Sequence, residues 1–519
     1  MSNSNFRPNK LMPLLIALLS GILTGLLIAP QRTSKAVMGL SEKVMEIVQL
    51  VEDEYVDPTD GDTLCDAMLN AMLLSLDPHS RYLSADELRK EQESMQGNFD
   101  GIGVVLRYLG DTVYVGEVMA DGPSARSGLT PGDCIVTVDG DTVSGVGLSN
   151  EETVGRIRGP HGSKVTLGVL RHGSAKPLHF TIVRGRVAMP SVAYAGMLPK
   201  QTGYIHLARF GETTTREVHA ALQQLRQQGM RRLVLDLRGN GGGLLEAAID
   251  VADELLPAGD AIVYTQGHHQ RKQHVYASGG GCFEQGELMV LIDEYSASAS
   301  EIVAGAVQDN DRGLVVGRRS FGKGLVQRQY DLADGSALWL TVARYYTPSG
   351  RCIQRPYSHG SDEYYMSFIE RLQAAPTTAD SSYLTQPLDD STRYYTKQRR
   401  VVYGGGGICP DKVLPYRSDN EVKAFNILVN SGKPSRAAFE YVIHEASALQ
   451  RAYGSEDDFV RRFRMPDIDR MVPDATLLSA GQHRRLETLM KAYVAQSLFG
   501  QYAFYRIYNT IDDDLGRLP

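Results

Sequence analysis

Apolar residues recur at helical spacing early in the chain, at Val44, Ile47, Val48 and Val51 and again at Leu64, Met68, Met72 and Leu73. This predicts a helical segment over 41–97. It is broken at Leu76-Asp77-Pro78-His79-Ser80, where the proline disfavours helix at Asp77. Ser84 and Glu87 then form a capping box for the next helix, and this turn chemistry accounts for His79 without a catalytic role. From Gly101 to about Val187 the pattern changes to strand alternation, in Gly101–Leu106, Val113–Val115, Cys134–Gly140 and Ser163–Leu170, with glycine turns and a helix over Glu151–Arg158. From about Ser191 to Gln308 strands and helices alternate, which predicts an α/β layer. Arg232–Leu237 is a buried strand followed by a helix over Leu244–Leu256, and the strand Met289–Ile292 leads into a helix over Glu301–Val307. Leu314–Gly317 and Ala337–Tyr346 add strands. Tyr357 to about Lys397 is polar and reads as a long irregular excursion. Val401–Tyr403 returns to the core, and beyond Glu421 the pattern is helical. It closes on an aromatic stripe at Phe499, Tyr502, Phe504, Tyr505 and Tyr508 that suits packing or an oligomer contact.

Length and composition narrow the class. At 519 residues the chain suggests about three or four units of ordinary domain size. A net charge of −7 with no basic run interleaved with aromatics sets nucleic acid aside. Leu11–Ala29 is a 19-residue stretch without charge, preceded by Arg7 and Lys10, and is read as an export signal. No small-x-small cleavage site follows at Pro30–Gln31, so an uncleaved membrane anchor is expected, with a cleaved signal as the alternative. The body is expected outside the cytoplasmic membrane, that is, periplasmic. Five scattered cysteines do not make a disulfide framework, although Cys352 and Cys409 flank the excursion and could pair. No short metal-binding spacing occurs, and His268, His269 and His274 read as a solvated hairpin tip.

The chemistry concentrates in two segments, Ser296-Ala297-Ser298-Ala299-Ser300-Glu301-Ile302 and Phe321-Gly322-Lys323-Gly324-Leu325-Val326-Gln327. A serine hydroxyl attacks an amide when a base takes its proton, and a lysine held neutral by burial serves as that base. Of the three alternating serines, Ser298 is preferred because it lies where a strand gives way to a helix, whose N-terminus stabilises a developing oxyanion. Ser298-Ala299-Ser300-Glu301 is equally a capping box, which explains the serine without catalysis. Lys323 tips the reading: it sits among glycines and apolar residues with no acid nearby in sequence, and Gln327 can orient its amine. The turn Gly239-Asn240-Gly241-Gly242-Gly243 lacks phosphate-loop spacing and suits an oxyanion hole, Gly242 N–H pairing with Ala299 N–H, with Gly241 or Gly243 as substitutes.

Gly122-Pro123-Ser124-Ala125, Gly128-Leu129, Gly132-Asp133-x-Ile135 and Val138-Asp139-Gly140 resemble a PDZ domain. Such a groove adds a peptide C-terminus as a strand and holds its carboxylate on the N–H groups of a tight loop, here Gly101-Ile102-Gly103-Val104. Together with Asp236-Leu237-Arg238-Gly239-Asn240, the serine and lysine segments, Thr347-Pro348-Ser349-Gly350-Arg351 and Gly407-Ile408-x-Pro410-Asp411, the chain resembles the C-terminal processing peptidases, or tail-specific serine proteases. The resemblance covers most of Ser41–Asp411, and it implies Ser298 as nucleophile, Lys323 as base 25 residues later and Gln327 as its partner. The fold it implies is a ClpP/crotonase-like α/β protease core with an inserted β-rich PDZ domain, an N-terminal helical segment and a helical C-terminal tail. The divisions are 1–30 anchor or signal, 41–97 helical, 98–188 PDZ, 191–356 core, 357–400 irregular insertion, 401–415 core return strand and 416–519 helical. In some members an arginine matching Arg158 is thought to couple peptide binding to the active arrangement. Gly241 departs from the proline or serine common at its position. No cofactor or metal is expected. The expected partners are protein substrates with apolar C-terminal tails and the membrane through the N-terminal helix, with an adaptor or activating lipoprotein and a homo-oligomer as further candidates. The rival reading is an inactive envelope PDZ scaffold, against which the joint presence of Ser298, Lys323 and Gln327 argues.

Overall fold

The structure is a computed structural model that describes residues 35–374, 392–417 and 419–519. The apolar stretch Leu11–Ala29 lies outside the described residues; among those described, no helix is long and apolar enough to cross a membrane. Among the described residues two compact units are distinguished, which divide after Met72. In the first, α1 (Lys35–Glu54) and most of α2 (Gly61–Leu74) form as the periodicity predicts, with Ile47, Met68 and Met72 exposed.

The second unit opens with a turn, strand β1 (Arg81–Leu83) and α3 (Ala85–Gln96). The expected capping box forms, Glu87 accepting the Ser84 N–H at 2.9 Å. Strand β2 (Asn98–Gly101) leads into the β-rich domain, whose sheet runs β3 (Val104–Leu109), β4 (Thr112–Val118), β5 (Cys134–Val138), then β6 (Lys164–Leu170) and β7 (Leu178–Val183), with α4 (Asn150–Ile157) between β5 and β6 in sequence. β3 is the edge of that sheet. β8 (Gly185–Ala188) pairs back with β2 and closes the excursion, so the domain is inserted between α3 and the core.

The core carries a 6-stranded sheet in the order β9 (Val192–Leu198), β10 (Thr202–Leu207), β11 (Arg232–Asp236), β14 (Glu287–Ile292), β15 (Leu314–Gly317) and β20 (Lys412–Val413), parallel except at β9–β10. Its central strands are apolar runs because both faces are covered. The helices are α5 (Thr214–Gln227), α6 (Leu245–Asp253) and α7 (Ala299–Asp309). Every residue of α7 is buried, its polar ones included, so each must be hydrogen-bonded inside the protein. A second sheet joins β12 (Ala261–Gln266), β13 (Gln273–Tyr276), β16 (Leu325–Asp331) and β17 (Ala337–Tyr346) to β1, which pairs with β17. The core is thus completed by a strand from before the inserted β-rich domain.

Two expectations change. The excursion after Tyr357 is not wholly irregular: Ser361–Gln373 forms a helix, α8, whose Tyr364 is buried against His79 and Phe321. Within the expected return segment 401–415, the strand that joins the core sheet is β20 at Lys412–Val413, whereas Val401–Tyr403 (β19) pairs with β18 (Arg393–Tyr395). Cys352 and Cys409 are both thiols and form no disulfide.

The C-terminal helices α9 (Asn420–Asn430), α10 (Lys433–Ala452), α11 (Glu456–Arg462), α12 (Ala480–Phe499) and α13 (Gln501–Tyr508) enclose their own apolar core. They touch both neighbours. Arg107 of the β-rich domain stacks on Phe439 at 5.0 Å and donates to Ser435 Oγ at 2.8 Å, while the aromatic stripe packs on the α/β core, Tyr502 on Tyr194 and Tyr505 on His206.

Candidate active site

Ser298 sits at the turn from β14 into α7 with φ 55° and ψ −111°, a conformation costly for a residue with a Cβ. The geometry separates the three serines. Ser296 Oγ donates to Leu237 O and Ser300 Oγ to Asn240 O, each at 2.8 Å and each fully buried, so both tie this turn to the Asp-Leu-Arg-Gly-Asn loop. Ser298 is half-buried and lines a cavity of 750 Å³ together with Lys323, Gln327, Ala299 and the glycines 241–243. The turn is held by Glu301, whose carboxylate accepts the Ser298 N–H at 2.8 Å, and by Tyr345, whose hydroxyl lies 3.0 Å from Ser298 O.

Lys323 follows Gly322, which adopts a left-handed φ of 95° and packs on the backbone of Gly406 and Gly407. Its Nζ donates to Gln327 Oε1 at 2.9 Å, and Gln327 Nε2 donates to the backbone carbonyl of His79 at 2.6 Å. Burial first, and Arg81 second, push the ammonium down to about 8 against the opposing pull of Asp77, Glu301 and Glu91. His79 is held neutral, its ring pushed down to about 3 by burial and by Lys323, and its Nε2 meets the Tyr364 hydroxyl at 3.1 Å. The turn at Leu76–Ser80 therefore contributes a carbonyl that orients Gln327.

The glycine loop corrects one expectation. Gly242 N–H donates to Asn240 Oδ1 at 2.9 Å, an Asx-type turn, and so is already engaged. Among the described residues the N–H groups of Gly241, Gly243 and Ala299 donate to no protein acceptor. Gly242 is irreplaceable for another reason: a Cβ there would lie 2.8 Å from both Ala297 O and Ser298 Cβ. Arg238, at the head of the loop, is clamped by Asp236 and by Asp512 and Asp514 from the C-terminal segment.

A second, smaller cavity of 240 Å³ lies between β3 and α4, lined by Phe99, Gly101, Ile102, Gly103, Val104 and Arg158 among others. Among the described residues the Ile102 and Gly103 N–H groups have no protein acceptor. Gly103 requires its φ of 73° and a close approach to Gly122, where a Cβ would meet Gly122 Cα at 2.7 Å. Arg158 stacks over Phe99 at 4.5 Å and pairs with Glu93 at 2.9 Å. Glu93 is on α3, the helix whose Glu91, Ser94 and Met95 line the Ser298 cavity.

Glu301, Tyr345, Asn240 and the His79 carbonyl are the residues that sequence reasoning missed. Glu301 has a sequence signal, the capping box, but its link to the lysine loop is a tertiary contact.

Comparison with known proteins agrees with this layout. The profile of peptidase family S41 matches residues 201–359 and that of the PDZ domain residues 114–171. A carboxy-terminal-processing protease of Bartonella bacilliformis is 40% identical over 60% of this chain and 71% of its own length, and a carboxyl-terminal-processing protease of Synechocystis is 39% identical over 55% and 68%. Among solved structures, a photosystem II D1 C-terminal processing protease shares 32% identity over 59% of this chain and 88% of that one, with a TM-score of 0.33. Identity at this level across more than two thirds of two relatives, together with a family match whose range 201–359 includes both the serine and the lysine loops, means that the chain belongs to the carboxy-terminal-processing proteases of peptidase family S41.

Proposed function

We propose that the protein hydrolyses peptide bonds with a Ser298–Lys323 dyad and selects substrates by their C-terminal tails through the groove between β3 and α4. The observation that carries the reading is the state of Lys323: a lysine pushed to about 8 by burial, in the same cavity as a serine at a helix N-terminus. About a tenth of such amines are neutral at pH 7, enough to serve as a base.

Neutral Lys323 takes the Ser298 hydroxyl proton as Oγ attacks the scissile carbonyl. The oxyanion is stabilised by Ala299 N–H, a glycine-loop N–H and the N-terminal end of α7. Lys323 then passes its proton to the leaving amine, and the acyl-enzyme on Ser298 is hydrolysed by a water that Lys323 deprotonates. Gln327 keeps the amine aimed through both steps. At the tail-binding groove, a substrate C-terminus adds to the β3 edge, its carboxylate meeting the Ile102 and Gly103 N–H groups and its apolar side chains the lining at Ile102, Val104 and Leu106. Arg158 is the coupling residue of this reading, since its partner Glu93 belongs to the helix that walls the Ser298 cavity.

The test incubates the purified chain with a loosely folded protein ending in an apolar tail and reads products by mass spectrometry, alongside Ser298→Ala and Lys323→Ala. Cleavage by the unaltered protein alone is expected. Tail binding without cleavage by any of the three would favour the scaffold reading. The N-terminal segment motivates placement outside the cytoplasm with the membrane as partner. Digestion of the body by external protease in spheroplasts tests that, and its protection would overturn it.

A further inference from the structure

We propose that His219, Glu254 and Cys282 form a binding site for a divalent transition-metal ion of the zinc class, separate from the peptidase cavity. His219 lies on α5, Glu254 caps the C-terminal end of α6, and Cys282 lies in the loop between β13 and β14. One ligand atom from each converges on a common point. His219 Nδ1 is 2.6 Å from Glu254 Oε1 and 3.5 Å from Cys282 Sγ, and the three atoms all lie within 4.8 Å of one another.

The thiol and the carboxylate address the same ring nitrogen. A cysteine nucleophile with a histidine base needs the thiol on one nitrogen and the orienting carboxylate on the other, so the cluster does not suit nucleophilic catalysis. It suits an ion. With zinc–sulfur and zinc–nitrogen bonds of about 2.3 and 2.0 Å, a tetrahedral site has a sulfur–nitrogen edge of about 3.5 Å. The observed separation is 3.5 Å. The nitrogen–oxygen edge opens from 2.6 Å to about 3.3 Å as the ion replaces the proton between those atoms. That proton and the thiol proton leave to solvent, and no redox change is involved.

The surroundings hold the ligands in place. Gln223 Nε2 lies 2.8 Å from His219 Nε2, and with its amide turned the oxygen accepts that N–H and leaves Nδ1 its lone pair for the ion. Glu254 Oε2 accepts the Cys282 N–H at 2.7 Å, Glu254 O accepts the Phe283 N–H at 2.9 Å, and Arg226 donates to Cys282 O at 3.0 Å, so the loop is fixed to the end of α6 without the ion. The His219 side chain is 43% exposed, which opens the fourth position to water. A thiolate, an imidazole and a carboxylate together favour zinc over magnesium or calcium. α6 starts at Leu245, in the peptidase cavity wall, and runs about 14 Å to Glu254, so the ion ties α5, α6 and the loop together without touching Ser298 or Lys323. The ligands stand 35 and 28 residues apart, and no short spacing motif announces them.

The test titrates the full chain with cobalt(II) and reads the thiolate-to-cobalt charge-transfer band, in the unaltered protein, Cys282→Ser, Glu254→Gln and, as a control, Cys65→Ser. One equivalent with the band is expected in the unaltered protein and in Cys65→Ser. Cys282→Ser should lose the band, and Glu254→Gln should bind more than about tenfold more weakly, since even an outer partner of a metal ligand is worth 10- to 100-fold. No band in the unaltered protein, or a band that survives Cys282→Ser, would overturn the proposal.

Discussion

Ser298 and Lys323 donate their backbone N–H groups to the same oxygen of Glu301, at 2.8 and 2.9 Å. The other oxygen takes the Gly322 N–H at 2.7 Å and the Ser320 hydroxyl at 2.5 Å. Burial alone raises the acid, and these four donors oppose that rise. One buried carboxylate thus joins the turn that presents the serine to the loop that presents the lysine.

Glu301→Gln keeps the shape but puts an amide NH2 against two N–H or O–H donors whichever way it turns. The expected result is a loss of about 1–3 kcal/mol in stability and a fall in kcat of at least about tenfold, with KM little changed because no cavity wall is altered. Denaturant unfolding and steady-state kinetics read both. Full activity in this variant would mean that Tyr345, whose hydroxyl lies 3.0 Å from Ser298 O and 2.6 Å from Lys323 O, suffices to hold the pair.

The rate should depend on pH through Lys323. Only the neutral amine takes a proton, so kcat/KM is expected to be low near pH 6 and to climb through a limb near 8. Gln327→Glu places a carboxylate where the amine now meets an amide oxygen. That favours the ammonium and should move the limb upward by about one unit or more. A limb that stays in place belongs to some other group.

The same lysine should cost stability. Its folded value of about 8 lies below the 10.5 of an exposed lysine, so between these values the unfolded chain binds more protons and stability rises with pH. The cost is fully present below pH 8, at most about 3 kcal/mol, and fades towards 10.5. Lys323→Met is therefore expected to be inactive and more stable than the unaltered protein at pH 7. Urea midpoints across pH 7–10 check this, and equal stability at pH 7 would show the ammonium to be solvated in the cavity.

Asp514 is one of the C-terminal segment's holds on the core, pairing with Arg318 and Arg238. Burial pushes its carboxyl up, but Arg318 and Arg238 outweigh that and keep it below the usual carboxylate range. Its contribution is present above the unfolded value and is lost as pH falls through the lower folded one. Asp514→Asn leaves Arg318 and Arg238 short of a counterion and should cost about 3 kcal/mol. Because Arg238 heads the glycine loop, kcat should fall as well. A variant as stable as the unaltered protein near pH 7 would show that Asp512, Asp236 and Glu294 hold these arginines unaided.

What could be seen in the sequence divides along a physical line. Strands such as Leu314–Gly317 and Ala337–Tyr346 appear at the bounds their apolar patterns predict, because burial dictates composition locally. The helix Ser361–Gln373 escaped although Tyr364, Phe368 and Leu372 recur at i, i+4 spacing, because it lies inside a stretch whose overall composition is polar. At the site, Ser298 and Lys323 could be chosen from turn and burial arguments. The engagement of Gly242 N–H by Asn240 could not, since it depends on how one side chain folds back over its own loop. The partnership of Gln327 with the His79 carbonyl spans 248 residues and has no local signal at all.

The pairing of Arg158 with Glu93 gives the coupling reading a specific form. Both side chains are partly exposed, 39% and 22%, so as an ion pair it is worth less than about 1 kcal/mol to folding. Its disruption should therefore leave thermal unfolding almost unchanged. If the contact transmits groove occupancy to α3, Arg158→Glu should abolish the stimulation of turnover by an added apolar-tailed peptide while basal cleavage of a short substrate persists. Glu93→Arg should do the same, and the double exchange should restore stimulation by re-forming the pair with its charges reversed. Stimulation retained in both single variants would mean that the groove acts on the Ser298 cavity by another route, or serves only to raise the local concentration of substrate.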